Sequence, residues 1–151
     1  MSTREQAPQK PSRVVRRRKM DVKHRITREH SHLEDLLDAL IRTFSKSGAT
    51  VRGLWEPFEQ FALDLESHIE QEDRLYFPAI GALSPDLKAS LEALSVDHSA
   101  FTDQLRQVAD HLAHEDIEGA TRSLRNLDAS LRAHEQVEEE ILARLDSKLE
   151  T

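Results

Sequence analysis

Cysteine is absent from the 151 residues. That removes disulfides, thiolate zinc sites, iron–sulphur clusters and thiol nucleophiles, and leaves His and carboxylate as the ligands for any metal. Glycine (4), proline (5) and aromatic residues (5%) are also scarce. With so few turn formers and so few β-favouring rings, sheet architectures are disfavoured. The 32% of charged residues, mixed with leucine, instead fit an all-α fold. No window approaches the apolar length of a membrane span, and the basic start of the chain is followed by no apolar stretch of the signal-peptide kind. A soluble, cytoplasmic chain of one domain is expected.

Charge is unevenly placed. The first twenty residues hold seven Lys/Arg against one Glu, a local +6, so the other 131 carry −13. Residues 1–20, with two prolines and the run Arg16, Arg17, Arg18, Lys19, read as a basic, disordered leader. Residues 21–151 read as the folded domain. An acidic body offers no cationic face to nucleic acid, so only the leader could make phosphate contacts, and a solvated tail is the plainer reading of it. Met20 is a second candidate initiator.

Four apolar segments with helical spacing follow. The first carries Ile26, Leu33, Leu37, Leu40 and Phe44, with His30 completing its stripe. In the second, Leu54, Phe58, Phe61 and Leu65 lead to His68 and Glu72, then to Leu75 and Tyr76. The third has Leu87, Leu91, Leu94, Phe101, Leu105, Val108 and Leu112, with His98 in step. The fourth has Leu124, Leu127, Leu131, Ile141, Leu145 and Leu149, with His134 and Glu138 between them. Turn-forming stretches at 45–53, 77–86 and 114–119 separate the segments, and Ser84 before Pro85 has the pattern of a helix N-cap. Short links make sequential helices antiparallel, giving an up-down four-helix bundle.

Six ionisable residues thus interrupt apolar stripes: His30, His68, Glu72, His98, His134 and Glu138. A lone charge in a core loses several kcal/mol of solvation, comparable with the stability of a whole domain, and a bound cation would compensate all six together. Register supports this. In antiparallel helices two residues share a level when they are equidistant from the turn between them. The midpoints of His30/His68, His68/His98 and His98/His134 are 49, 83 and 116, each within the link between the two helices. The four histidines therefore form one layer. Glu72 and Glu138 lie one turn, about 6 Å, further along, on the same side of that layer.

The chain also repeats. His30 to His68 spans 38 residues and His98 to His134 spans 36, and each second histidine opens His-x-x-x-Glu. Glu29-His30-Ser31 matches Asp97-His98-Ser99. Each half is a helical hairpin offering two His and one Glu, and the combined set suits two metal ions.

This doubled H…HxxxE pattern, with Tyr76-Phe77-Pro78 after the first HxxxE, resembles the hemerythrin-like HHE cation-binding family over about residues 24–149. The resemblance implies that His30, His68, His98 and His134 ligate two non-haem irons and that Glu72 and Glu138 bridge them. Oxygen-carrying members have a second His four residues after the third-helix ligand and an acid five residues after the fourth-helix His. Here Thr102 stands at the first position. Glu139 is available at the second, although the stripe favours Glu138. Fewer histidines leave exchangeable positions, a pattern similar to HHE proteins linked to iron–sulphur cluster repair and nitric-oxide stress. The Cys-containing N-terminal segment usual in those proteins is missing.

Three functions fit. The first is a di-iron module that binds or senses dioxygen, nitric oxide, peroxide or a related small oxidant. The second is a di-iron enzyme of peroxide or nitric-oxide detoxification, or of iron handling and repair. The third is a zinc-bound or metal-free bundle serving a protein partner. Imidazole ligands with bridging carboxylates favour paired iron or manganese over zinc. A ferritin-like carboxylate site needs two Glu-x-x-His motifs, and only Glu29 to His32 supplies one. His24, His32, His111 and His114 lie off the stripes and are assigned to solvent. Tyr76 is expected to fill core or to bond a bridging carboxylate, Thr102 to pack on its helix, and Trp55 to pack near the bundle end.

Overall fold

The computed structural model of the chain describes residues 12–147 and, among them, contains helices and no strand. Five α-helices are present: α1 (Arg13–Phe44), α2 (Val51–Gln71), α3 (Phe77–Leu83), α4 (Lys88–Ala113) and α5 (Ile117–Ser147). A π-helical turn, Glu72–Tyr76, joins α2 to α3, and a 3₁₀ turn, Pro85–Leu87, leads into α4. Since α2, the π turn and α3 run on without a break, the molecule is built from four long rods.

Contacts of α1 with α2, α2 with α4, α4 with α5 and α5 with α1 close these rods into a ring. Side-chain pairs give their direction. Between α1 and α5, Ser45 meets Arg125, Asp38 meets Arg132 and His30 approaches Glu138, so numbers fall on one helix as they rise on the other. Glu29–His68 and His32–Asp64 show the same for α1 and α2, as do Asp97–His134 and Gln104–Ser130 for α4 and α5.

Two expectations give way here. Part of the basic leader is helical: α1 begins at Arg13, and the Ser12 hydroxyl accepts from the Val15 amide at 3.3 Å. This stretch lacks an apolar stripe, and its Val14 and Met20 are both exposed. It continues a helix already nucleated further along, and Arg and Lys propagate helix well. Residues 1–11 of the leader lie outside the described residues, as does Leu149. The link expected at 77–86 is also largely helix, broken only at Ser84, whose φ and ψ are −144° and 87°.

The remaining links are short. Gly48 takes a left-handed φ of 81° in the first, and Glu115 takes φ 57° in the last. Asp116 then caps α5, its Oδ1 accepting from the Gly119 amide at 2.9 Å while its Oδ2 meets His111 Nδ1 at 3.0 Å. A Cβ on Gly119 would collide with both side chains, so that cap depends on glycine.

Apolar burial forms two separate clusters. The larger fills the end near the first and last links, from Leu33, Phe44, Phe58 and Phe61 to Leu105, Leu112 and Leu127. The smaller fills the other end with Ile26, Tyr76, Phe77, Ile80, Leu91, Leu94 and Ile141. Between them lies a polar layer of His30, His68, Glu72, His98, His134 and Glu138, each 5% exposed or less.

Candidate metal centre

Every residue of the six-member set comes from one of the four long rods: His30 from α1, His68 from α2, Glu72 from the π turn, His98 from α4, and His134 and Glu138 from α5. Ring centroids are 5.1 Å apart in both His30/His68 and His98/His134. The carboxylates cross between hairpins. Glu72 Oε1 lies 3.3 Å from Nε2 of His68 and 3.2 Å from Nε2 of His98. Glu138 Oε2 lies 3.3 Å from His30 Nε2 and 3.7 Å from His134 Nε2. Two overlapping donor groups result, His30/His68/Glu72/Glu138 and Glu72/His98/His134, with ligand atoms in each within 4.8 Å of one another. Glu72 is common to both.

Most of these inward atoms have no hydrogen-bond partner. The Nε2 atoms of His30, His98 and His134, Oε2 of Glu72 and both oxygens of Glu138 are buried and unsatisfied. Native interiors rarely leave such groups unpaired. Here they point at shared volumes rather than along hydrogen-bond directions to one another, which is the chemistry of a cation site: lone pairs converging from imidazole and carboxylate.

The outward ring nitrogens are held. His68 Nδ1 donates to Glu29 Oε2 at 2.7 Å, His98 Nδ1 to Asp73 Oδ1 at 2.9 Å, and His134 Nδ1 meets Asp97 Oδ2 at 3.4 Å. A carboxylate on Nδ1 keeps the proton there and leaves the Nε2 lone pair facing inward, as metal-binding histidines require. His30 is the exception, with a buried and unpartnered Nδ1. Phe77 stacks on the His98 ring at 5.8 Å and Phe101 meets His134 edge to face at 5.0 Å, fixing both planes.

Protonation follows from burial and these partners. Burial opposes charge on Glu72, but the close approach of Glu138, His68 and His98 holds its carboxyl well below the usual range. Burial and the adjacent Glu72 push Glu138 well above it. Facing carboxylates divide in this way because two uncompensated negative charges cannot share so small a space, so without a cation one of them keeps a proton. Burial would also depress His68, yet its bonds to Glu29 and Glu72 raise it to about 9. Burial, reinforced by His68, takes His30 down to about 4.

The π turn explains the local arrangement. Its Phe77 amide bonds back to the Glu72 carbonyl, five residues earlier. The wider turn carries Glu72, Tyr76 and Phe77 inward and leaves Leu75 58% exposed, so the expectation that Leu75 lies on the stripe is corrected. Such turns recur at functional sites. Tyr76 bonds no bridging carboxylate. Its hydroxyl lies 2.9 Å from Glu29 Oε1 and 2.7 Å from Gln71 Oε1, so Tyr76 supports the acid that supports His68.

Other expected positions divide. Glu138 is in the layer, whereas Glu139 is exposed. Thr102 is also exposed, and its hydroxyl bonds back to the His98 carbonyl at 3.3 Å, contributing nothing to the centre. His24, His32 and His114 are exposed, while His111 is half-buried against Asp116. Trp55 packs on the larger cluster beside Phe58. The supporting acids Glu29, Asp73 and Asp97 were missed. The repeated acid-His-Ser text was a signal for two of them, but each bonds the histidine of a neighbouring helix rather than the one beside it in sequence.

The sequence profile of the hemerythrin HHE cation binding domain matches residues 21–145. The chain belongs to this family. No curated protein and no solved structure matches it. Membership of the hemerythrin HHE family agrees with the buried His/Glu layer, which could hold metal. Among the described residues, no helix of this HHE domain is long and apolar enough to cross a membrane.

Proposed function

We propose that this chain is a non-haem di-iron protein that binds or senses dioxygen, nitric oxide or a related small oxidant at a centre of four His and two Glu. The reading is carried by one observation: two buried donor groups that share Glu72. A shared carboxylate between two imidazole-bearing groups suits a pair of adjacent ions, and helix-borne sets of this kind favour redox-active iron or manganese. Iron bound there would supply reversible electron transfer to a small ligand.

The chain's own residues do the rest. His30 and His68 would hold one ion and His98 and His134 the other, with Glu72 and Glu138 supplying the carboxylates between them. Glu29, Asp73 and Asp97 fix the ring tautomers. The two apolar clusters above and below the layer exclude bulk water, which strengthens every charge interaction inside. A groove of about 360 Å³, with Phe101, Ala133 and Val137 on its walls and Asp97, Gln104 and Ser130 among its polar residues, reaches His134 between α4 and α5. Its mixed lining, with more apolar than polar surface, admits a small neutral ligand.

Elemental analysis of protein produced with iron available, paired with absorption spectra before and after oxygen, tests the proposal. About two irons per chain with ligand-to-metal charge-transfer bands is the expected result. Reversible spectra would mark binding, and spectra that bleach with product release would mark turnover. Zinc, or no metal in a folded bundle, would overturn it.

A further inference from the structure

One buried carboxylate beside the centre is not used by the six-residue set. Glu135 follows His134 on α5, is 2% exposed, and has no hydrogen-bond partner on either oxygen. Glu34, one turn beyond His30 on α1, stands level with it, between the Asp38–Arg132 and His30–Glu138 pairs that set the register of α1 on α5. Glu34 in turn reaches the surface, where it lies 4.0 Å from Arg132. That arginine is already engaged, at 3.0 Å with Asp38 and 2.9 Å with Asp128.

The arrangement is confined to one half. By the internal repeat, the counterpart of Glu34 is Thr102, which is exposed, and that of Glu135 is Ile69, which packs on the larger apolar cluster. An apolar residue therefore fits the equivalent place, and packing alone gives no reason for a carboxylate at 135. Left without a partner, such a group destabilises the fold. Two carboxylates, one buried and aimed inward and one reaching solvent, form an oxygen donor pair of the kind that hard divalent ions prefer.

We propose that Glu34 and Glu135 form an auxiliary site for a hard divalent cation, ferrous iron or manganese, next to the His30/His68 position and open to solvent through Glu34. The site stands on these two residues. Its role as the route by which ions reach the central layer rests on the di-iron reading above.

Titrating Mn²⁺ into the full chain, with free ion counted by its EPR signal, tests this. Wild type should bind a tight class and one weaker equivalent. Glu135→Gln should weaken that equivalent by on the order of tenfold or more and spare the tight class. His98→Ala with His134→Ala should reduce the tight class and spare the Glu135-dependent ion. A binding curve identical in Glu135→Gln and wild type, or no Mn²⁺ bound at all, overturns the auxiliary site. Loss of the tight class alone in wild type, with the Glu135-dependent ion retained, would count against the di-iron reading and for the auxiliary site. Should Glu135→Gln fail to fold by circular dichroism, Glu34→Gln at the partly exposed partner is judged by the same criterion.

Discussion

The hairpin of α1 and α2 and the hairpin of α4 and α5 bring the same donors to the centre, yet they support them differently. In the first, Glu29 binds His68 at 2.7 Å; in the second, the matching Asp97 binds His134 at 3.4 Å. The residue after Glu72 is Asp73, on the π turn, and it reaches His98. The residue after Glu138 is Glu139, on an uninterrupted α-helix, where it is exposed, and His30 goes without an acid. A repeated sequence thus delivers donor side chains in duplicate, while a local change of helical pitch makes the two halves unequal.

The largest effect that would break this comparison is loss of a ligand. His68→Ala and His134→Ala should each lower the metal-to-protein ratio measured by elemental analysis, whereas His111→Ala, outside the layer, should leave it unchanged. Equal retention in all three would sink the ligand assignment.

Next come the supporting acids. Asp73→Asn should weaken metal affinity by about 10- to 100-fold, as loss of an outer hydrogen bond to a ligating histidine does, and Asp97→Asn by less because its bond is longer. Glu139→Gln should do nothing. A competition titration against a chelator ranks the three, and equal losses for Asp73 and Glu139 would erase the asymmetry.

The pH response of metal-free protein sharpens it further. Against burial, Glu29 and Glu72 together raise His68 to about 9, so the stability that Glu29 adds is complete below the ordinary histidine value near 6.5 and is lost as pH rises through about 9. The difference in Tm between wild type and Glu29→Gln should therefore be largest near pH 6 and vanish above pH 9. A difference that grows with pH would refute the assignment.

The smallest effect lies in the links. The first hairpin uses Gly48 for its left-handed residue, the second Glu115. Glu115→Gly should raise unfolding free energy by about 1 kcal/mol, and Gly48→Ala should lower it by a similar amount, both read from denaturant midpoints.

Much of this was legible in the sequence. Ile26, Leu33, Leu37, Leu40 and Phe44, like Leu54, Phe58, Phe61 and Leu65, are buried as their spacing requires. The six polar positions on the stripes share one layer, as the midpoints between histidines require. Helical spacing and link length are local properties, and a short link transmits register from one helix to the next. The π turn was not legible, because its wider pitch leaves residue order unchanged and Leu75 still falls on an ideal α stripe. Neither was the pairing of Glu29, Asp73 and Asp97 with their histidines, since each bond crosses between helices. Glu135 was hidden for another reason: on a helix as rich in acids as α5, one more glutamate gives no sign that it faces inward.

The polar layer between the two apolar clusters also bears on how the molecule opens. Only the continuous rods and a largely unsatisfied His/Glu layer join its ends, so the metal-free bundle should open as two blocks in series, the smaller, around Ile80 and Leu91, exchanging its amide protons first. Ions that tie all four rods together at mid-height would fuse the blocks, so that amides at both ends exchange in one shared event. The centre then acts as a clasp on the breathing of the whole rod.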